Sequence, residues 1–311
     1  MDIIGKRRMF LAISGILVAI GIIALAVRGL NLGVDFTGGS LVRLRFERAV
    51  TASEVSGVLT SSSLADMNLR KAVVQPIRGT NDVQVRAQVA GRPLNDAQVQ
   101  RVTTALSEKF GNVSVVESEM VEPVIGRELL GRALMALVIA CIGIVIYVSV
   151  RFEFRFAVAA ILALIHDTII VLGAFALLGR QVNSPFIAAV LTIIGYSIND
   201  TIVIFDKIRE NLRLRKKETL EELTNKSILQ TLTRSLNTVL TTLLAVLALY
   251  FFGGVSIRDF SLALIIGLVT GTYSSIFIAS AIWLEWRMWD RARQRRQAAA
   301  AKVKPGAAKA K

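Results

Sequence analysis

Residues 9–27 read "MFLAISGILVAIGIIALAV" and carry no charge. A helix that crosses a bilayer needs about 20 mostly apolar residues, and this run supplies them. Five further blocks follow, near 133–150, 157–178, 186–206, 229–252 and 259–284. The fold class read from them is a polytopic α-helical membrane protein with six transmembrane helices. The first block has a basic start, Lys6-Arg7-Arg8. Its apolar run is longer than the h-region of a signal peptide, and no A-x-A site follows, so it reads as a retained anchor.

The chain has 311 residues, 53% of them hydrophobic, and a net charge of +14. The excess charge is not spread as nucleic-acid binding would need. It collects at span ends: Lys6, Arg7 and Arg8; Arg151 and Arg155; the 207–226 loop; and the tail from Arg287 onward. The alternating loops are poor, with Arg180 in one and Arg258 in the other. By the positive-inside rule the rich segments are cytoplasmic, which puts both termini there. No nucleic acid is expected as a partner. The tail 285–311 is basic and Ala/Lys-rich, and is expected to be disordered. Cys141 lies in an apolar span and reads as a small filler.

About 100 soluble-looking residues separate the first two spans, and the loop alternation places them outside the cytoplasm. The stretches 40–47, 71–78, 82–89 and 113–121 alternate like strands. Thr51 with Glu54 opens a helix by a capping box. Residues 95–110 form an amphipathic helix with Val99, Val102, Leu106 and Phe110 on one face, ended by Gly111. The order is β-α-β-β-α-β, a ferredoxin-like α+β domain. The expected divisions are 1–28, an N-terminal segment with the first span; 29–128, the extracytoplasmic domain; 129–284, spans two to six; and 285–311, the tail.

Strongly polar residues inside the spans are few: His166, Asp167, Asn199, Asp200 and Arg234. A charge at mid-membrane costs about 2.5–3.5 kcal/mol on insertion scales, so such residues have partners or tasks. Counted from the same end of their spans, Asp200, Arg234 and Asp167 lie at about 13, 10 and 16 Å. Arg234, Asn237, Thr238 and Thr241 form a polar stripe at helical spacing, as do Thr192, Tyr196 and Asp200. The two stripes are expected to line a wet seam. The competing reading of an Asp200–Arg234 pair is an inert register-fixing ion pair. His166 and Asp167 project about 100° apart, so His166 reads as a packing histidine. Without a second His or Cys no zinc is expected, nor any other metal or cofactor.

The motifs "GVDFTGGS" (33–40) and "IGYSINDTIVIFDKIREN" (194–211), with "LIHD" (164–167), "TLTRSLNTVLTT" (231–242) and "FGG" (252–254), closely resemble the SecD/SecF family of protein-export membrane subunits. The resemblance runs from the first span to the sixth. It implies half-transporters of the resistance–nodulation–division superfamily, two six-span halves forming a pseudo-symmetric pair. It implies a proton-driven role in late protein export beside SecYEG, with SecD as partner, YajC as a further companion, and a translocating polypeptide and membrane lipid in contact. The family assigns proton passage to the positions matched by Asp200 and Arg234; Asp167, Asn199 and Thr238 are the expected neighbours in a relay. Asp35, Phe36, Gly38 and Gly39 belong to a motif read either as a tight linker or as a hinge to the outer domain. A phosphate loop is excluded, since no Lys follows and no helix opens there. The rival is a small-molecule exporter subunit of the same superfamily. Its much larger outer domains disfavour it, and a purely structural assembly factor would need no ionisable seam. No enzymatic activity is expected.

Overall fold

The computed structural model describes residues 2–303 other than Arg78 and Lys216. In chain order the elements are α1 (Arg7–Arg28), β1 (Gly39–Arg45), α2 (Ala52–Leu59), β2 (Val73–Pro76), β3 (Asp82–Ala87), α3 (Asp96–Phe110) and β4 (Ser114–Val121). Then come α4 (Pro123–Arg151), α5 (Phe154–Leu178), α6 (Ser184–Leu214), α7 (Leu220–Phe252), α8 (Val255–Ser274), a π turn (Ser275–Ala279) and α9 (Ser280–Val303). The chain divides into two compact units. One is Met1–Asn31, Leu137–Arg180 and Pro185–Lys311; the other is Leu32–Ala136 with Gln181–Ser184.

The smaller unit holds a four-stranded antiparallel sheet in the order β2-β3-β1-β4. Strand alternation sets its register. Val42 lies opposite Val85 and Leu44 opposite Val83, which makes one face of the β1–β3 pair apolar apart from Ser40, whose hydroxyl bonds the Leu94 backbone. That face is buried with Val55 and Leu59 of α2 and Val99, Val102, Leu106 and Phe110 of α3. Helix α2 starts where its cap dictates: the Glu54 N–H donates to Thr51 Oγ1 (3.3 Å), and the Thr51 N–H donates to Glu54 Oε2 (2.8 Å). A second capping box, Asn95 with Gln98, opens α3. Gly111 closes it at φ 86°, where a side chain would be strained. Two 3₁₀ turns, Ser62–Met67 and Leu69–Lys71, lengthen the path from α2 to β2. Alternation and helical periodicity give no sign of them.

The larger unit holds membrane-length helices. Among the described residues six are long and apolar enough to cross a bilayer: Ile4–Arg28, Pro123–Arg151, Phe154–Leu178, Ser184–Leu214, Leu220–Phe252 and Ile257–Gln297. Lipid is as apolar as leucine, so close backbone approach has to hold such helices together. Gly21 of α1 and Gly173 of α5 provide it: a Cβ on Gly173 would strike the Gly21 Cα. On α8, a Cβ at Gly271 would lie 3.0 Å from Ser197 Cβ of α6, and one at Gly267 would strike Ile193. Gly267 and Gly271, four apart on the sixth span, therefore pack within this chain. Cys141 is exposed on α4, so it fills no core.

The tail corrects the sequence reading. Residues 285–303, expected to be disordered, continue α9. Ala, Arg and Gln dominate this stretch and all have high helix propensity, which composition-based disorder arguments overlook. The rest of the expected tail, 304–311, lies outside the described residues.

Candidate functional site

Asp167 on α5 is 1% exposed. Its Oδ2 accepts the Ser197 hydroxyl of α6 and the Ser274 hydroxyl of α8, each at 2.7 Å. Its Oδ1 lies 3.0 Å from His166 Nδ1. One carboxylate thus ties three spans together. The histidine is also buried, and its Nε2 has no partner among the described residues. Adjacent helical positions diverge, yet His166 turns back to its neighbour's carboxylate. Its ring stacks 6.3 Å from Tyr273. The Tyr273 hydroxyl donates to the Phe10 carbonyl (3.0 Å) and accepts from Ser14 (3.2 Å), which extends the polar path to α1.

The π turn after Ser274 matters here. An inserted residue breaks the 3.6-residue register and re-aims the side chains around it, as π turns at functional sites often do. Ser275 Oγ donates to the Ser197 carbonyl (3.2 Å) and lies 2.8 Å from Thr201 Oγ1. Ser274 and Ser275 both reach α6, one through Asp167 and one directly.

Asp200, on α6, is the second buried carboxylate of the larger unit among the described residues. Ser235 of α7 donates its hydroxyl to Asp200 Oδ1. The Oδ2 is buried with no hydrogen-bond partner among the described residues. Neither protonation state is fully satisfied in this arrangement. The ionised form has Ser235 as its donor and nothing at Oδ2, and a carboxyl protonated on Oδ2 has no acceptor there among the described residues; both shortfalls are costly away from water. Arg234 is exposed, and no ion pair joins it to Asp200 among the described residues. Asn199 and Thr238 are exposed as well, and Thr238 donates to the Arg234 carbonyl (2.8 Å). The stripe Arg234, Asn237, Thr238 and Thr241 faces out of the bundle. The wet seam expected between the two stripes is not closed within this chain. Tyr196 OH lies 3.5 Å from Oγ1 of Thr242, the residue after the second stripe.

The structure brings together Asp167 and His166, and separately Asp200 and Ser235. Ser235, Ser274 and Tyr273 were not among the expected site residues. Ser235 had a signal: Ser227, Thr231 and Ser235 repeat every four residues on α7, and all three are buried.

In the smaller unit, Val34–Thr37 forms one helical turn. Asp35 Oδ2 accepts the Ser184 N–H (2.7 Å), and Phe36 is 3% exposed. Gly38 sits at φ 71°, where a Cβ would lie 2.5 Å from the Pro123 Cα. Gly39 sits at φ 111° with the Ala87 carbonyl 3.1 Å from a built Cβ. Both positions need glycine for conformation and for space. Among the described residues there is no group of three His, Cys, Asp or Glu side chains arranged to hold a metal.

Six membrane-length helices and a small α+β unit define a multi-pass membrane protein. Residues 101–289 match the C-terminal region of the protein export membrane proteins SecD/SecF, and residues 23–50 match the SecD/SecF GG motif. The chain is 45% identical over 292 residues to protein translocase subunit SecF of Alicyclobacillus acidocaldarius, covering 92% of each. It is 41% identical to protein translocase subunit SecDF of Bacillus subtilis, with 92% of this chain matching 38% of that one. The crystal structure of a Thermus SecDF, described as translocon-associated, superposes with a TM-score of 0.82 at 38% identity, over 92% of this chain and 38% of that chain. The chain belongs to the SecD/SecF family of protein-export membrane proteins, which makes it a multi-pass component of the bacterial inner membrane and of Sec protein export.

Proposed function

We propose that this chain works with a SecD partner beside SecYEG, with YajC as a further companion, and uses the proton motive force to assist a polypeptide across the membrane. The observation that carries this reading is Asp200: a buried carboxylate in a span, held on one oxygen by Ser235 and unpartnered on the other. A buried carboxylate with one oxygen unpartnered is suited to exchange a proton when packing shifts. Arg234 stands next to Ser235 on α7 and is exposed, as are Asn199 and Thr238, and it supplies a positive charge near the carboxylate in this reading. That exposed polar stripe suits the face turned to the partner half. Fusion of both halves in the SecDF relatives supports the pairing. Asp167 is the second carboxylate of the relay, linked through Ser197 to the helix that carries Asp200. The membrane potential supplies about 2.3 kcal/mol per charge per 100 mV.

The antiparallel order β2-β3-β1-β4 supports a ferredoxin-like outer domain. Within the divisions 1–28, 29–128, 129–284 and 285–311, the loop charges favour an extracytoplasmic 29–128 with both termini cytoplasmic. Asp35, Phe36, Gly38 and Gly39 hold the linker into it. The chain acts as a translocase subunit and not as an enzyme. Export into inverted membrane vesicles, with and without a proton gradient, tests the reading. Asp200→Asn should insert, retain its partner and lose gradient-stimulated export, whereas wild-type stimulation in that variant refutes it.

A further inference from the structure

His166 is the one histidine of the chain, and no task has yet fallen to it. It is 6% exposed, and its Nδ1 lies 3.0 Å from Asp167 Oδ1. Its Nε2 is buried with no hydrogen-bond partner among the described residues. Asp167 is the opposite case. Its Oδ2 accepts the hydroxyls of Ser197 and Ser274, each at 2.7 Å, and its Oδ1 faces the imidazole.

These contacts restrict where protons can sit. A bare Nδ1 against an ionised Oδ1 sets two lone pairs face to face, so the contact itself holds one proton. A proton on Oδ2 would displace one of the two serine hydroxyls. With a single proton, on Nδ1, the pair carries a charge of −1 inside a span, which is costly. A second proton makes the pair neutral. That proton goes to Nε2 whether the first rests on Nδ1, giving imidazolium and carboxylate, or on Oδ1, giving neutral imidazole and carboxylic acid.

The charged groups of the packed helices are engaged elsewhere. Helix α5 packs against α1, α8, the π turn and α9. Met9–Val27 of α1 carries no charge, and neither does the π turn. On α8 the Tyr273 hydroxyl is taken by Phe10 and Ser14, Asp259 pairs with Arg180 (3.3 Å), and Arg258 lies over the Tyr250 ring. The first charged residue of α9, Glu285, pairs with Arg7 (2.6 Å). Through Ser197 the pair reaches α6, where Asp200 is turned to Ser235.

We propose that His166 Nε2 is a proton-carrying atom of the relay. It takes up a proton as the pair passes from −1 to neutral, and bares its lone pair on release. The proposal rests on the proton-relay reading of Asp200 and adds a second stop to it. Asp167 is the counter-charge that positions the imidazole, and its serines carry the change in charge to α6 and α8.

The test uses the full chain, isotope-labelled on the histidine ring nitrogens and reconstituted in vesicles. One histidine gives one pair of nitrogen signals in magnetic resonance. In alkali Nδ1 should be protonated and Nε2 bare. On acidification through the window where histidine changes charge, about pH 8 to 5, Nε2 should gain a proton. An Nε2 that stays bare throughout, or bears its proton throughout, overturns the proposal. His166→Asn sets an amide donor near the Nδ1 position and cannot take up a proton. It should keep the thermal midpoint of wild type and lose gradient-stimulated export, and full stimulation in that variant overturns the role in the relay. If the variant fails to insert, the nitrogen titration decides. That signal is read without export and without Asp200, so its failure leaves the Asp200 reading intact, and unimpaired export by Asp200→Asn leaves the nitrogen result standing.

Discussion

Ser235 on α7 donates its hydroxyl to Asp200 on α6, and the other Asp200 oxygen is buried without a partner among the described residues. The serine, and not the neighbouring arginine, is the direct contact of this carboxylate. Ser235→Ala removes the one donor and leaves both oxygens bare. It should weaken gradient-stimulated export several-fold while insertion persists, and Ser235→Thr should restore it. Arg234→Met should also lower stimulation, through lost electrostatic bias. If Ser235→Ala is silent and Ser235→Thr is equally silent, the contact has no part in the relay.

Asp167 gathers three partners across three spans, so its substitution should register first as lost stability. Asn can keep its oxygen toward Ser197 and Ser274, but its amide then faces His166 Nδ1 where Oδ1 stood, so a protonated Nδ1 loses its acceptor. Stranding a buried donor costs about 1–3 kcal/mol. Asp167→Asn should lower the thermal midpoint in detergent as well as export. A defect in export at unchanged stability would place Asp167 purely in proton transfer.

The close approach of Gly21 and Gly173 makes a direct prediction about packing. Gly173→Ala forces two backbones apart and should destabilise by about 1–3 kcal/mol. Gly15→Ala meets nothing within 4 Å and should be neutral or slightly stabilising. Thermal unfolding of the two variants in the same detergent checks this. A neutral Gly173→Ala would contradict the packing.

Acid should loosen the smaller unit. Arg101 holds the exposed Asp66 carboxyl below its usual range through paired hydrogen bonds of 2.8 and 2.9 Å. Hydrogen bonds with Thr51 do the same for Glu54. A lowered folded value means stability that is present above the unfolded carboxylate range and lost as pH falls through the folded one. Hydrogen exchange of the full chain should therefore quicken around α2 and the Ser62–Met67 turn on acidification below the ordinary carboxylate range. Arg101→Gln should flatten the pH response near Asp66, and high salt should do so in part, since the pair is exposed.

Charge alternation predicts the topology. Reporter fusions at 182 and 220 should fall on opposite sides of the membrane, with 220 cytoplasmic. The same side for both would undo the six-span orientation.

Most of the architecture was legible because it follows from length and period. Six apolar blocks mark six helices, Thr51 with Glu54 marks a helix start, and Val99, Val102, Leu106 and Phe110 mark a buried face. The site was legible only in part. Asp200 and Asp167 stand out as carboxylates among apolar residues, but their partners depend on helix rotation. Arg234 and Ser235 are adjacent and project about 100° apart, so spacing alone could not say which one points inward. Ser274 reaches Asp167 beside a π turn, and a reading built on a 3.6-residue period cannot foresee that break. The polar stripe from Arg234 to Thr241 was visible, but its outward direction was not.

The central claim is that Asp200 takes up and releases a proton within the bundle. Difference infrared spectroscopy of the reconstituted chain across a pH titration measures this directly. The account predicts a carboxyl stretching band that comes and goes with pH, is absent in Asp200→Asn and is displaced in Ser235→Ala. A spectrum in which no titrating carboxyl band is lost in Asp200→Asn would contradict it.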